Sequence, residues 1–335
     1  MSRWAKDPEA AADALIGRSL DALDLSGRIL IANPSSGLPA MLAARGLAFQ
    51  RWHRRLLSGE AARPWPPPGP FDLAIVRLAR AKDEQEMVLH AVLSVLVADA
   101  RLFVYGGNDE GIRSAASVLA SLCGAADTVA KRGHGRLLAA RRPAQLANVR
   151  GELAAWRRTT PLSIAGQLRD WVSYPGLFAA GRIDEGTELL LATLPSLPAG
   201  ARVADFGCGA GVIAAALAMA PTIGLDLIDH DSVALLAAEE NVPVGQAILA
   251  SSLAGAAGHW DAIFSNPPLH AGMSESHAAL TQLVVEAPAH LRRGGLLQLV
   301  LQRRLPVEDL LAQHLGQVRI LADNGRYRVW SAQRR

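Results

Sequence analysis

The tripeptide Asn266-Pro267-Pro268 stands directly after the apolar run "WDAIFS". Neither proline has an N–H and each fixes its own φ, so the chain can neither continue as strand nor open a helix there. What remains is a stiff end carrying one side-chain amide oxygen, on Asn266, beside the Pro267 carbonyl. Two rigid acceptors of this kind suit a planar amino nitrogen, whose lone pair is delocalised into an aromatic ring. Accepting its two hydrogens aims the lone pair at an electrophilic carbon, and such positioning lowers a barrier by on the order of 7–11 kcal/mol at best without a general base.

A source for that carbon is suggested by "VADFGCGAGV", which reads Asp205-Phe206-Gly207-Cys208-Gly209-Ala210-Gly211 between a strand and a helix. Dinucleotide sites use G-x-G-x-x-G and rest a phosphate on the helix N-terminus. Here the spacing is G-x-G-x-G, with an acid two residues ahead, which disfavours a pyrophosphate and suits a cation. S-adenosylmethionine has an ammonium, a sulfonium and no phosphate. Asp229, ending "TIGLDLID", is placed to accept from both ribose hydroxyls, with Asp226 the weaker candidate. Ser251 or Ser252, after the next strand, is placed for the adenine edge. Cys208 lies within the loop but has no evident base beside it and reads as a small packing residue.

These residues need strands that end side by side. The second half predicts strands at 202–206, 222–229, 246–250, 260–265 and 295–302, alternating with helices at 211–220, 231–241 and 276–291, and a terminal pair near 317–331. Continuous apolar strands alternating with helices predict a mostly parallel sheet covered on both faces. The first half echoes the second: "GRILIANPSSGLPAML" from Gly27 aligns with "ARVADFGCGAGVIAAAL" from Ala201, and "PFDLAIVRLAR" from Pro70 with "HWDAIFSNPPLH" from His259. The expected fold is α/β: two tandem Rossmann-like domains, 1–160 and 161–335, joined by a polar, helical stretch from Asn148.

With 335 residues, half of them apolar, and a net charge of +3, the chain is long enough for two such domains and does not announce a polyanion partner by charge alone. No signal peptide or membrane span is read, which predicts a cytoplasmic protein. Two cysteines and nine scattered histidines supply neither a disulfide framework nor metal-ligand spacing. Arg157-Arg158 and Arg303-Arg304 are candidates for phosphate contacts.

Together, "YPGLFAAGRIDEGTELLL", "VADFGCGAGV", "SNPPLHAGM" and "NGRYRVW" resemble the small-subunit ribosomal RNA guanine-N2 methyltransferases, and "LFVYGGNDEGIRSA" resembles that family's N-terminal domain. The resemblance implies methyl transfer from S-adenosylmethionine to the N2 amine of a guanine in 16S rRNA, as RNA or within the small subunit, by a monomer. It implies a catalytic role for Asn266 and Pro267, and cofactor contacts from Asp205, Gly207, Gly209 and Asp229; the residues themselves add Pro268 to the catalytic set and Cys208, Gly211 and Ser251 to the cofactor candidates. Substrate contacts would come from Leu269, His270, Phe178, Arg303 and Arg304. It also implies a degenerate first domain that helps hold RNA: "ANPSSG" there lacks the acid, and "VRLAR" replaces Asn-Pro-Pro. One position departs, since Leu269 stands where the family has an aromatic residue. Other acceptors (large-subunit RNA, adenine N6, a protein glutamine) and a non-catalytic, cofactor-binding assembly factor are the alternatives.

Overall fold

A computed structural model describes residues 7–57, 61–179, 181–219, 222–267 and 273–335, apart from the side chains of 273–276. The chain divides into two units, one comprising residues up to 54 and 62–157, the other 55–61 and 158–335. Residues 55–61 interrupt the first half in sequence but belong to the second unit, which a cut into two continuous halves does not include.

In the first unit β1 (Ile29–Ala32), β2 (Phe49–Trp52), β3 (Phe71–Arg77), β4 (Leu96–Gly107), β5 (Asp127–Arg132) and β6 (Gly135–Arg141) form one sheet in the order β2-β1-β3-β4-β6-β5. The four strands from β2 to β4 are parallel, and β6 and β5 run antiparallel to close the edge. Apolar runs such as "ILIA" form strands because both faces are covered. Leu30, Ala74, Val76 and Leu102 enter one core, while Ile29, Ile31, Leu73 and Ile75 enter the other.

The second unit opens with a two-stranded hairpin, β7 (Arg158–Ile164) and β8 (Gln167–Ser173). This corrects the helical connector expected from sequence. Leu162 and Ile164 are buried with an exposed serine between them, a period of two among polar neighbours, and Ala165-Gly166 turn the chain with positive φ at both residues. That two-residue loop is the geometry a tight hairpin requires. A short 3-10 turn at Leu153–Trp156 is the helical part of the connector.

The main sheet holds β9 (Arg202–Phe206), β10 (Gly224–Asp229), β11 (Gln246–Leu249), β12 (Trp260–Ser265), β13 (Leu291–Gln302), β14 (Val318–Asp323) and β15 (Tyr327–Gln333), in the order β11-β10-β9-β12-β13-β15-β14. Without β11 this is the order of the first sheet, so the duplication read from sequence is a duplication of topology. Side-chain anchors repeat as well. The Asp72 carboxylate accepts from the Arg28 N–H at 2.8 Å, and Asp261 accepts from the Arg202 N–H at 2.8 Å. The Asn33 N–H donates to the Trp52 carbonyl, and the Gly207 N–H to that of Ile228. These pairs put Ile31 where the second unit has Asp205, His53 where it has Asp229, and Arg77 where it has Asn266.

Candidate methyl-transfer site

In the second unit β10, β9 and β12 are adjacent and parallel, so their carboxyl ends open side by side at spacings of about 5 Å. Asp205 is on β9, Asp229 ends β10 and Asn266 follows β12. The three residues that carried the sequence argument therefore lie along one rim.

Four N–H groups of the loop after β9 already have acceptors. The N–H groups of Gly207 and Cys208 both go to the Ile228 carbonyl, that of Gly211 to Cys208, and that of Gly209 to the Asp229 carboxylate at 2.9 Å. A phosphate would need those N–H groups free. Gly209 has φ +55°, and a Cβ built on it would meet nothing within 4 Å, so its face is open space. The Asp229 carboxylate also accepts from the Asp231 N–H at 2.9 Å and lies 3.2 Å from His230 Nδ1. That hydrogen bond raises the His230 pKa above its usual value, working against desolvation.

Asp205 is fully buried; Oδ2 accepts from the Ala214 N–H at 3.0 Å, and Oδ1 has no partner. Burial chiefly, with the Asp229 charge adding to it, pushes its pKa up to about 7. An orphaned buried carboxylate oxygen, a second acid and a Gly209 N–H already given to Asp229 fit a cationic, phosphate-free cofactor better than a pyrophosphate. Asn241 braces the arrangement: its amide nitrogen donates to the Ala210 and Val172 carbonyls, and its oxygen accepts from the Val172 N–H.

Asn266 is held from a direction the sequence reading did not foresee. Its Nδ2 donates to Thr187 Oγ1 at 2.8 Å and lies 3.2 and 3.3 Å from the two oxygens of Asp184. Asp184 is the N-cap of helix Glu185–Leu191, and its Oδ1 accepts from the Gly186 and Thr187 N–H groups. The Thr187 hydroxyl in turn donates to Asp184 Oδ2. With the nitrogen tied to these acceptors, the amide has one orientation, and Oδ1 is left as the acceptor. Asp184 and Thr187 sit within the quoted stretch "RIDEGTELLL"; their visible signal was that of a helix cap. Nothing local ties that cap to a residue some 80 positions later.

Among the other sequence candidates, Cys208 is buried within the core under the sheet, and burial, with Asp229 and Asp205, raises its thiol pKa well above normal. Its side chain packs in that core. Asp226 takes the Trp260 Nε1–H at 2.6 Å and an Arg202 pair, which accounts for it structurally. Ser252 caps helix Leu253–Ala256, leaving Ser251 as the exposed serine after β11. Phe178 is 52% exposed while Tyr174 is buried with its hydroxyl on Glu240, so Phe178 is the ring of that segment turned outward. Pro268, Leu269 and His270 lie outside the described residues, and Pro267 is buried at the end of β12.

Two family models match in tandem. The methyltransferase small domain N-terminal model covers residues 15–156, and the methyltransferase small domain model residues 169–331. A ribosomal RNA small subunit methyltransferase C from Shewanella pealeana is 34% identical over 268 residues, covering 78% of this chain and 77% of its own length. The chain belongs to the ribosomal RNA small subunit methyltransferase C family. Its relative from Shewanella piezotolerans is 42% identical over 161 residues, 47% of this chain and 46% of that one. A solved T. thermophilus 16S rRNA N2 methyltransferase, in complex with AdoMet and guanosine, has the same fold, with a TM-score of 0.85 at 24% identity over 100% of this chain and 94% of that one. No helix among the described residues is long and apolar enough to cross a membrane, and no cluster of metal-ligating side chains occurs among them.

Proposed function

We propose that this chain transfers a methyl group from S-adenosylmethionine to the exocyclic N2 amine of a guanine in 16S rRNA. The observation that carries the reading is the one-sided anchoring of Asn266, whose Nδ2 is engaged by Thr187 and Asp184 beside the Asp205–Asp229 rim. When bound, S-adenosylmethionine supplies a methyl group activated by its sulfonium. Asp229 would hold the ribose hydroxyls, and the open face of Gly209 would let the cofactor lie against the backbone. Asp205, whose raised pKa leaves it partly protonated at neutral pH, would ionise more fully with the cation bound nearby.

Asn266 Oδ1 and the Pro267 carbonyl would then accept the two N2 hydrogens, turning the nitrogen lone pair out of conjugation and toward the rim. Neither group titrates near neutral pH, so they orient and do not act as bases. A guanine reaches this place only when unstacked from its neighbours. Phe178, the exposed ring of the "YPGLF" segment, offers a stacking face that Leu269 lacks, and such stacking contributes about 1–3 kcal/mol per base.

The first unit has Ile31, His53 and Arg77 at the three positions that matter, which supports a role in holding RNA and structure without cofactor. The reading takes a monomer in the cytoplasm as the working state. It is tested with labelled cofactor and undermethylated small subunits or 16S RNA, followed by nucleoside analysis. Label in N2-methylguanosine supports it; label in methyladenosine, in large-subunit RNA or in protein replaces the acceptor. Cofactor binding with no transfer would make the chain an assembly factor.

A further inference from the structure

Beside the Asn266 end of β12, the next strand, β13, ends in Gln302 and releases Arg303 and Arg304. The β14–β15 turn faces them with Gly325 and Arg326, and these five residues line a cavity of about 660 Å³. The backbone fixes that meeting: the Arg303 N–H donates to the Arg326 carbonyl at 2.8 Å, and Gln302 pairs with Tyr327 across the sheet. Three guanidinium groups thus converge on one groove.

Their existing partners are exposed and weakly held. Arg303 lies 3.5 Å from Asp323, which is already bonded by Arg328 at 2.6 Å. Arg326 pairs with Glu185 at 3.0 Å while itself 71% exposed. Arg304 donates to the neutral Gln302 side chain. Exposed ion pairs of this kind contribute little and give way to a better anion at small cost.

The groove is also placed for the reaction. Ser265 pairs with Leu299, so Asn266 is level with Val300 and Arg303 is three residues further on. Three residues of about 3.3 Å and one strand spacing of about 4.8 Å separate them by on the order of 11 Å. Glu185, which holds Arg326, is the neighbour of Asp184, which holds Asn266. The Tyr327 ring packs against Gly186 in the same helix turn, where an added Cβ would come within 3.3 Å of it.

We propose that Arg303, Arg304 and Arg326 form a clamp for an RNA backbone phosphate next to the target guanine, and that this clamp shares a support with the residues orienting Asn266. The clamp rests on the reading of RNA as substrate. Arginine suits it, since its planar fork meets two phosphate oxygens at once.

The test is equilibrium binding of 16S RNA to the full chain across a salt series, with methyl transfer measured in parallel. Wild type is compared with Arg303→Ala, Arg304→Ala, Arg326→Ala and the triple variant. Arg319→Ala, which lines a separate cavity, serves as control. Since the three arginines share one phosphate, the triple variant should reduce the slope of log K against log salt by about 0.7 to 0.9, and single variants by less. Affinity for RNA should fall by roughly tenfold per arginine, with cofactor affinity and melting temperature unchanged. Unchanged slope and RNA affinity in the triple variant would overturn the clamp, even if transfer remained normal. If wild type binds RNA with the expected slope changes but transfers nothing, the clamp stands and the assigned reaction falls. No RNA binding by wild type would sink both. Arg326→Lys separates charge from packing: retained slope with lowered affinity is the outcome a bidentate phosphate contact gives.

Discussion

Replacing Asp184 by asparagine tests the orientation of Asn266 without touching the rim. The variant keeps an oxygen for the Gly186 and Thr187 N–H groups, and asparagine caps a helix about as well as aspartate. It puts an NH2 where Oδ2 receives the Thr187 hydroxyl and faces Asn266 Nδ2 at 3.2 Å. Two donors would then meet, and the Asn266 amide would be driven to turn, presenting nitrogen to the guanine amine in place of oxygen. The interaction lost is a hydrogen bond to a charged group, worth about 1.5–3 kcal/mol. At about 1.4 kcal/mol per decade, kcat should fall roughly 10- to 150-fold. The assay is single-turnover methyl transfer to undermethylated 16S RNA, with cofactor affinity by calorimetry and a melting curve alongside. Thr187→Val, which removes the 2.8 Å acceptor but keeps the shape, should cost less, about 2- to 13-fold for a neutral bond. A kcat within twofold of wild type for Asp184→Asn, or a rate loss tracked by an equal loss of cofactor affinity, would refute the reasoning.

Asn266→Ala should abolish transfer while leaving cofactor affinity within about twofold, measured by the same two assays. Phe178→Ala should raise KM for RNA by about 5- to 150-fold, the equivalent of 1–3 kcal/mol of stacking, with Phe178→Trp restoring it; its exposure means the melting temperature should not move. Asp205 makes stability depend on pH. Its pKa is 3.8 when unfolded and about 7 when folded, so between those values the folded chain holds a proton the unfolded chain lacks, and stability falls as pH rises. Asp205→Asn should remove that slope in denaturant titrations and weaken cofactor binding. The His230 contribution, present below 6.5 and lost as pH rises through its raised value, should persist in the variant.

How much of this was legible beforehand follows from the reach of each signal. The strands at 202–206 and 260–265 are read correctly because a buried parallel strand is a local apolar run. The strand expected from 295 begins at Leu291, which pairs with Trp260 ahead of an irregular stretch through Arg292 and Arg293, and the regular ladder resumes at Leu296. Asp205, Asp229 and Asn266 stand out as candidates because each sits at the carboxyl end of such a run. The Asp184–Thr187–Asn266 contact spans 79 to 82 residues and uses residue types whose ordinary job is helix capping, so no local pattern distinguishes it. Likewise the β7–β8 hairpin hides behind arginines and threonines, its period of two carried by only Leu162 and Ile164. The groove of Arg303, Arg304 and Arg326 needed the β13–β15 register, which brings together segments that the sequence separates.

The two units also show what it takes to keep a crevice open. In the first, Arg77 at the Asn266 position turns in and meets Glu110 through two hydrogen bonds, at 2.8 and 2.6 Å. Glu110 also accepts from the Gly107 N–H, and Gln85 donates to the Glu110 carbonyl. Beside them Tyr105 is fully buried against Ser35, and burial raises its pKa to about 12. The strand ends of that unit are thus filled by a buried polar network, which makes them part of its core. In the second unit the equivalent positions stay polar: Asp205, Asp229 and Asn266. Asp205 keeps an oxygen without a partner, and Gly209 faces open space. A buried unpaired acceptor costs about 1–3 kcal/mol, a cost that Ile31 avoids at the same position of the first unit. Its retention in one copy and loss in the other is what the proposed division between a reacting unit and a supporting unit would produce.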